Sequence, residues 1–253
     1  VSKVKHVMQK DPISVHVDTP LDEVAQIIEK YDLVAIPVLD SIGRLVGQIT
    51  VDDVMDEVRE QSERDYQLAS GLSQDVETDD NVFRQTTARL PWLIIGMLGG
   101  IGNSMILGNF DATFAAHPEM ALYIPLIGGT GGNVGTQSSA LIVQGLANSS
   151  LDSKNTLKQV AKEAVVALIN ATIISLLVYT YNFIRFGAMA TVTYSVSISL
   201  FAVVMFASIF GTLVPMTLER LKIDPAIATG PFIAITNDII GMMLYMGITV
   251  LLS

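Results

Sequence analysis

The sequence predicts a membrane all-α fold, a five-helix transmembrane bundle, preceded by an N-terminal cytoplasmic α/β domain. Half of the 253 residues are apolar and only 16% are charged, against about a quarter in typical soluble domains. The charge is unevenly divided, because residues 1–89 contain 18 acidic and 9 basic residues, whereas residues 90–253 contain 7 and 6. The acidic front part disfavours nucleic acid as a partner and favours a cation.

The front domain is predicted to contain elements in the order β-α-β-β-α. We expect Thr19 to cap a helix whose first position is Pro20, because proline favours that position. Asp22 and Glu23 in its first turn complement the helix dipole. The predicted strands are residues 14–17, 35–39 and 44–50, with a turn at 40–43 and a second helix from about Val51.

The second helix carries an acidic face. Its carboxylates recur at helical spacings of four, four and three residues, at Asp52, Asp56, Glu60 and Glu63. Like charges at such spacings destabilise a helix by roughly 0.2–0.5 kcal/mol per pair. Two interpretations remain open. The face is either an ordinary solvated surface, or a surface that bound divalent cations neutralise, which would couple helix packing to ion concentration.

From residue 90 onward the chain contains five long hydrophobic segments. They cover residues 90–109, 119–147, 160–184, 192–217 and 225–252. A helix needs about 20 apolar residues to span the hydrocarbon core of a bilayer, and each segment is long enough. The short connections between the segments predict a bundle.

Basic residues near the ends of these segments predict the orientation. With the front domain in the cytoplasm, seven of them fall on the cytoplasmic side: Arg84, Arg89, Lys154, Lys158, Lys162, Arg220 and Lys222. Arg185 falls outside. Because lysine and arginine are enriched in cytoplasmic loops, the asymmetry predicts a multi-pass cell-membrane protein with a cytoplasmic N-terminus and a C-terminus outside.

Asp238 is the only ionisable residue that we place inside a predicted span, away from its ends. A carboxylate at this depth costs roughly a few kcal/mol, so it is expected to face a partner or water. Thr236 and Asn237 lie beside it, and Gly230 with Pro231, two turns earlier, predicts a kink or an unwound point. A buried, hydrogen-bonded carboxyl is the alternative to the favoured interpretation, an ion pathway.

Residues 125–137 of the second segment contain five glycines together with Asn133 and Gln137. Small residues allow membrane helices to pack closely, but close packing does not require the two amides. Irregular backbone is tolerated at membrane depth where it lines a water-filled cavity. We therefore expect a glycine-broken segment that lines an ion pathway and also serves packing.

The residues available to such a pathway favour a hard cation. The chain has no cysteine, and its three histidines, His6, His16 and His117, form no ligand pattern. The remaining ligands are carboxylate, amide, hydroxyl and carbonyl oxygens. These suit Mg²⁺ better than Zn²⁺ and leave Ca²⁺, Mn²⁺ and Na⁺ open. No catalytic triad, phosphate-binding loop or paired-carboxylate pattern indicates an enzyme.

Residues 1 to about 60 resemble a single cystathionine-β-synthase-type (CBS) repeat. The likeness is carried by Ala-Ile-Pro-Val-Leu-Asp at 35–40 and by Gly-Gln-Ile-Thr-Val-Asp-Asp at 47–53. Such repeats normally work in pairs, so the presence of one leads us to expect a fragment of a longer protein. Thr50 and Asp53 are similar to the ribose-contacting element of this family, which implies an adenine nucleotide such as ATP as a candidate ligand.

The rest of the chain resembles the MgtE family of magnesium channels. The resemblance rests on residues 125–137, on Asp-Pro-Ala-Ile-Ala-Thr-Gly-Pro at 224–231 and on Thr-Asn-Asp at 236–238. It implies a homodimer with a pore along its two-fold axis, in which Asp238 holds hydrated Mg²⁺. The implied pore-lining residues are Asn133, Thr136, Gly230 and Asn237, and the implied regulatory Mg²⁺ ligands are Asp52, Asp53 and Asp56 with, less closely, Glu60 and Glu63.

The predicted chain has three parts: a cytoplasmic, acidic CBS-type repeat at residues 1–62, a connecting helix and linker at 63–89, and a five-span pore domain at 90–253. The expected function is Mg²⁺-selective, channel-like import down the electrochemical gradient, closed by cytosolic Mg²⁺ at the front domain and connecting helix. A secondary transporter that exchanges a divalent cation with Na⁺ or H⁺ is the alternative. A third possible function is a membrane-anchored sensor of a nucleotide or metal that transports nothing. The expected partners are Mg²⁺ as substrate and regulator, the bilayer and a second copy of the chain, with no nucleic acid.

Overall fold

The structure is a computed structural model that describes His6, Met8 and residues 12–147 and 156–252, apart from the side chains of Asp22 and Ala228. The chain divides into two compact units, Val1–Asp65 and Tyr66–Ser253. Lys154, which enters the predicted orientation, and Ser253, at the C-terminus that we expect outside, lie outside the described residues.

The front unit contains a three-stranded sheet. Its elements are β1 (Val15–His16), α1 (Leu21–Tyr31), β2 (Ala35–Leu39), β3 (Leu45–Thr50) and α2 (Val51–Ala69), which begins in this unit. β2 lies in the middle of the sheet, parallel to β1 and antiparallel to β3. The core consists of Val15, Val24, Ile28, Ile36 and Val54. This architecture confirms the predicted β-α-β-β-α order.

The start of α1 differs from the prediction that Thr19 caps it. The helix begins at Leu21, and Pro20 occupies the capping position without a side-chain hydrogen bond. The Thr19 hydroxyl instead accepts a hydrogen bond of 3.0 Å from the backbone N–H of His16. The hydroxyl therefore closes the turn after β1, and the prediction of a threonine cap was wrong.

The second unit is helical. Its helices are α3 (Val82–Gly108), α4 (Asp111–Ala116), α5 (Ile124–Ala147), α6 (Thr156–Phe186), α7 (Thr191–Arg220) and α8 (Pro231–Leu252), with 3-10 turns at Pro118–Tyr123 and Pro225–Ala228. Within the described residues, four helices are long and apolar enough to cross a membrane, namely α3, α6, α7 and α8. These four correspond to the first, third, fourth and fifth predicted spans.

The helix α5, which corresponds to the second predicted span, is not among these four. It has 24 residues, about 36 Å of helix, and no charged residue, but glycine, hydroxyl and amide side chains dilute its apolar content. Its backbone is an uninterrupted helix from Ile124 to Ala147. The expected glycine-broken backbone was therefore wrong, because an unbroken helix satisfies its own backbone groups and the glycines serve close packing.

The helix α7 is the centre of the bundle and contacts α5, α6 and α8. Val196, Leu200 and Val204, which recur at helical spacing, are fully buried in the core. At Gly211 a methyl group would overlap the carbonyl oxygen of Gly135 on α5. Two glycines thus let these two backbones approach closely, as small residues do at membrane-helix interfaces.

Buried polar side chains also join the helices. The hydroxyl of Ser195 on α7 lies 3.0 Å from that of Thr249 on α8. The Tyr245 hydroxyl donates a 2.8 Å hydrogen bond to the carbonyl oxygen of Met120. The Tyr123 hydroxyl donates to the amide oxygen of Asn182 on α6. Each bond satisfies a group that water cannot reach inside the bundle.

The chain is unwound before α8, as the glycine and proline at 230–231 predicted. Thr229 is extended after the 3-10 turn, and Gly230 has a φ of +56°. A methyl group at Gly230 would overlap the carbonyl oxygen of Ala69. Glycine is required here both for the backbone conformation and for the close approach.

Candidate cation site

Asp238 lies two turns into α8 and is partly exposed. Its Oδ1 atom lies 3.4 Å from the position that a Cβ atom would take at Gly128, and 3.5 Å from that position at Gly132. The two glycines of α5 therefore leave room for the carboxylate against the helix surface. Within the described residues, no side chain donates a hydrogen bond to this carboxylate, so it is available to water or to a cation.

Asn237, the preceding residue, is only 1% exposed. Its amide is wedged against Gly135, where a methyl group would overlap it. Neither its Oδ1 nor its Nδ2 atom has a hydrogen-bond partner within the described part of the chain. The structure thus places Asn237 inside the contact between α5 and α8, one residue away from Asp238 but against a different glycine.

The other residues expected to line the pore are spread over a wider region. Asn133 is exposed and Thr136 partly exposed on α5. At 100° per residue, Asn133 lies about 120° around the helix from the face formed by Gly128 and Gly132. Gly230 precedes Asp238 by eight residues, about 12 Å along the axis of α8. The structure therefore brings together Asp238 and the two glycines, and leaves Asn133 on an open face.

A second carboxylate within the bundle, Glu163 of α6, was missed by the sequence reasoning. Its Oε1 atom accepts hydrogen bonds from the hydroxyls of Ser138 (2.7 Å) and Ser208 (2.5 Å). Both serines are buried, and their hydroxyls lie 3.0 Å apart. Glu163 stood at the edge of the predicted span 160–184, but α6 begins at Thr156. The charged pair at 162–163 was the signal that could have identified it.

Beside Glu163 lies a cavity of about 450 Å³ between α5 and α6. Its polar lining includes Gln137, Ser138, Gln144, Lys162, Glu163 and Asn170. The lining residues of α5 lie on the side of that helix opposite to Gly128 and Gly132. The helix α5 thus separates this cavity from Asp238.

The acidic face of α2 is partly neutralised by its own arginines. Arg59 lies near Asp56 (3.9 Å) and Glu63 (3.8 Å). Arg64 is closer to its partners, Glu57 (3.2 Å) and Glu60 (2.7 Å). These pairs are exposed, so each contributes at most about 1 kcal/mol. Within the described residues, no group of three or more acidic or histidine side chains is arranged to hold a metal ion.

Thr50 and Asp53, the expected nucleotide contacts, bond to each other at the start of α2. The Asp53 carboxylate accepts from the hydroxyl (2.6 Å) and the backbone N–H (3.0 Å) of Thr50. These hydrogen bonds, from the hydroxyl above all, lower the pKa of Asp53 below its ordinary value. The arrangement is a capping box, which satisfies free backbone donors at the helix start.

Two family models match the chain. The model of the MgtE family, described as divalent cation transporter, matches residues 124–248. The model of the CBS domain matches residues 4–60. The first match contains α5, α6, α7 and most of α8 with Asp238, and the second contains the sheet of the front unit.

Curated relatives match nearly the whole chain. The magnesium transporter MgtE of Bacillus subtilis is 33% identical over 246 residues, which are 97% of this chain and 54% of the relative. That of Thermus thermophilus is 33% identical over 99% of this chain and 56% of the relative. The magnesium transporter MgtE of Enterococcus faecalis is 30% identical over 97% of this chain and 54% of the relative. The chain therefore spans about half the length of the curated relatives it matches.

The matches agree with the structure, in which several apolar helices follow a small α/β unit. They also confirm both resemblances that the sequence motifs indicated. The chain is a multi-pass membrane protein in which a segment that matches the CBS domain is followed by a segment that matches the MgtE family of divalent cation transporters.

Proposed function

We propose that the chain conducts Mg²⁺ across the cell membrane past Asp238. The observation that carries this proposal is the carboxylate of Asp238, which faces the glycine surface at Gly128 and Gly132 without a protein hydrogen-bond donor among the described residues. The relatives from three bacteria, each named a magnesium transporter, support the choice of ion.

The geometry around Asp238 suits a hydrated ion. Mg²⁺ gives up its water reluctantly and is usually held by one or two carboxylates with several waters. Gly128 and Gly132 leave room for the Asp238 carboxylate itself, and its partly exposed side can meet such water. In a homodimer, two copies of Asp238 would offset both charges of the ion.

The proposed membrane domain, residues 90–253, has five spans, with α5 as the second. The helix α5 packs against α7 and α8, so this span needs less hydropathy than one that faces lipid all round. Five spans place the cytoplasmic front domain and the C-terminus on opposite sides of the membrane. A divalent cation then gains about 4.6 kcal/mol per 100 mV on full inward transfer, so membrane potential and concentration are sufficient to drive import.

Cytosolic Mg²⁺ is also the proposed regulator, through the CBS-type repeat at 1–62 and the connecting segment at 63–89. Along α2, seven acidic residues stand against two arginines, which leaves an excess of five negative charges. Binding of Mg²⁺ to Asp52, Asp53, Asp56, Glu60 and Glu63 would relieve this repulsion and favour the closed state. An adenine nucleotide at Thr50 and Asp53 is a second candidate regulator, for which the Thr50–Asp53 pair would have to open.

The alternative, exchange of a divalent cation for Na⁺ or H⁺, draws support from the unwound segment before α8, since broken helices are common in such transporters. The uninterrupted α5 removes the second break on which this alternative relied. We therefore favour a channel-like pathway over an exchanger.

The experiment that tests this function is voltage-driven Mg²⁺ flux into proteoliposomes. We expect the wild-type chain to admit Mg²⁺ without a Na⁺ or proton gradient, and Asp238→Asn to reduce the flux at least tenfold. Asp111→Asn, which removes an exposed carboxylate in α4, is the matched control and should conduct like wild type. Competition with Ca²⁺ and Mn²⁺ measures selectivity. Undiminished flux through Asp238→Asn would refute the proposed pathway, and flux that requires a counter-ion gradient would establish exchange.

A further inference from the structure

The cavity between α5 and α6 has opposite charges in its wall. Lys162 and Glu163 are neighbours on α6, and both line the cavity. Both serine hydroxyls donate to the same oxygen of Glu163, Oε1. The other oxygen, Oε2, accepts no hydrogen bond from the described residues. The cavity therefore offers one free anionic acceptor and one cation.

The position of these two charges along α6 corresponds to the boundary of the hydrocarbon core. α6 has 31 residues, about 46 Å of helix, whereas the hydrocarbon core is about 30 Å thick. A centred helix therefore extends about 8 Å beyond the core at each end. Lys162 and Glu163 lie about 10 Å from the start of α6 at Thr156, at the level where phospholipid headgroups meet the acyl chains.

Part of the cavity wall is apolar and exposed. Leu141 of α5 is 64% exposed and Val166 of α6 is 42% exposed, and both line the cavity. In a bilayer these side chains contact acyl chains, while Lys162, Glu163, Gln137 and Gln144 make other parts of the cavity wall polar. A wall with apolar and polar parts matches a molecule with a polar head and apolar tails.

We propose that this cavity binds the headgroup of a phospholipid that carries both a phosphate and a primary ammonium group. The ammonium donates hydrogen bonds to Oε2 of Glu163 and to the side-chain amide oxygen of Gln144. The phosphate pairs with Lys162, and the acyl chains lie along Leu141 and Val166. A choline headgroup has no N–H donor for Glu163, and a glycerol headgroup offers hydroxyl donors but no positive charge to pair with this carboxylate.

The test is the thermal unfolding midpoint of the purified chain in detergent, measured with added phosphatidylethanolamine, phosphatidylcholine or phosphatidylglycerol of identical acyl chains. For the wild type we expect phosphatidylethanolamine to raise the midpoint by about 3 °C at ten times its Kd, and the other two lipids to raise it by less than about 1 °C. Equal shifts from the three lipids would overturn the proposal. So would the full shift with soluble phosphoethanolamine alone, since the acyl chains would then contribute nothing.

Three variants locate the site. Glu163→Gln keeps hydrogen-bonding groups for the two serines but removes the charge, and should abolish the shift. Lys162→Gln changes an exposed side chain, so this variant should fold like the wild type. It should at least halve the shift. Lys158→Gln removes an exposed lysine one turn earlier that does not line the cavity, and should keep the full shift. An equal loss in Lys158→Gln and Lys162→Gln would contradict the assigned site. None of these results depends on Mg²⁺ transport.

Discussion

Individual glycines of α5 have different neighbours, and these neighbours decide whether a larger residue can replace each glycine. Gly135 is enclosed by the amide of Asn237 and the side chain of Ile233. For Gly129, on the same helix, no atom of another part of the described chain lies within 4 Å of the position that its Cβ would take. The glycine-rich sequence alone does not separate these two roles, because it shows composition and not the neighbours that each residue meets.

Gly135→Ala is expected to destabilise the bundle by about 1–3 kcal/mol, because the new methyl group forces α8 away from α5. Gly129→Ala is the matched control. It should be neutral or stabilise the helix by up to about 1 kcal/mol, since alanine is the better helix former. Unfolding of both variants in detergent measures the difference. Equal stability of the two would mean that the contact between Asn237 and Gly135 is not as close as described.

The hydrogen bonds from Thr50 to Asp53 are expected to be visible in a pH titration. A carboxylate whose pKa is lowered by folding stabilises the fold above its unfolded pKa, and this contribution is lost as the pH falls through the folded pKa. Thr50→Val removes the hydroxyl, so the pKa of Asp53 should rise toward its ordinary value. Thr50→Ser retains the hydroxyl and should leave the pKa low. Carbon-detected NMR of the Asp53 carboxyl group measures both, and a low pKa in Thr50→Val would contradict the assigned cause.

At the scale of the element, α2 combines a capped start with an unbalanced charge. The Thr50–Asp53 pair fixes where the helix begins, and Arg59 and Arg64 neutralise part of the acidic face. Asp52 takes part in none of these ion pairs. Its charge and the weakly paired charge of Asp56, 3.9 Å from Arg59, are therefore the most available to a divalent cation.

Replacement of both Asp52 and Asp56 by alanine is expected to weaken inhibition by cytosolic Mg²⁺. The concentration that halves the flux should rise several-fold, because two carboxylates no longer need neutralisation for closure. The control is the double variant Glu23→Ala with Glu29→Ala, which removes two acidic residues from α1. Cytosolic Mg²⁺ should inhibit its flux at the same concentration as in the wild type. Flux into proteoliposomes with varied internal Mg²⁺ measures both variants. Unchanged inhibition in the α2 variant would remove the proposed regulatory role.

The helix α5 shows where sequence patterns lead to a wrong local structure. Its glycines and amides predicted a broken segment, but the structure has a regular helix whose glycines contact α7 and α8. Whether a glycine-rich stretch unwinds depends on what packs against it, and that information lies about 70 to 110 residues further along the chain. The break before α8, in contrast, was predictable, because Gly230 and Pro231 act on their own backbone.

At the scale of the whole molecule, several helices leave apolar surface uncovered. α6 exposes Ile169, Ile173 and Leu177, and α3 exposes Leu93, Met97 and Ile101. Lipid covers such surface in a membrane protein. Polar Asn133 is exposed as well, and the proposed homodimer would place it along its two-fold axis.

The homodimer predicts a disulfide cross-link between two copies of α5. The chain contains no cysteine. A single introduced cysteine can therefore form a disulfide only with the same cysteine in a second copy of the chain. Asn133→Cys is expected to form covalent dimers on mild oxidation in membranes, because the proposed homodimer brings the two copies of residue 133 together. A disulfide needs Cα atoms within about 7 Å of each other. Ile173→Cys, on the apolar face of α6, is the control and should stay monomeric. Dimers through Ile173 without dimers through Asn133 would place the interface elsewhere.

Hydropathy, charge and short motifs by themselves determined the membrane character of this protein, four of its candidate spans and the β-α-β-β-α order of the front unit. These features follow from periodicity and composition, which act over a few neighbouring residues. Only the tertiary structure decided that Asn237 is buried against Gly135, that Asp238 faces Gly128 and Gly132, and that Glu163 meets two serines. These relations join helices that are distant in the chain, and packing between helices, which no local pattern encodes, selects which side chains meet.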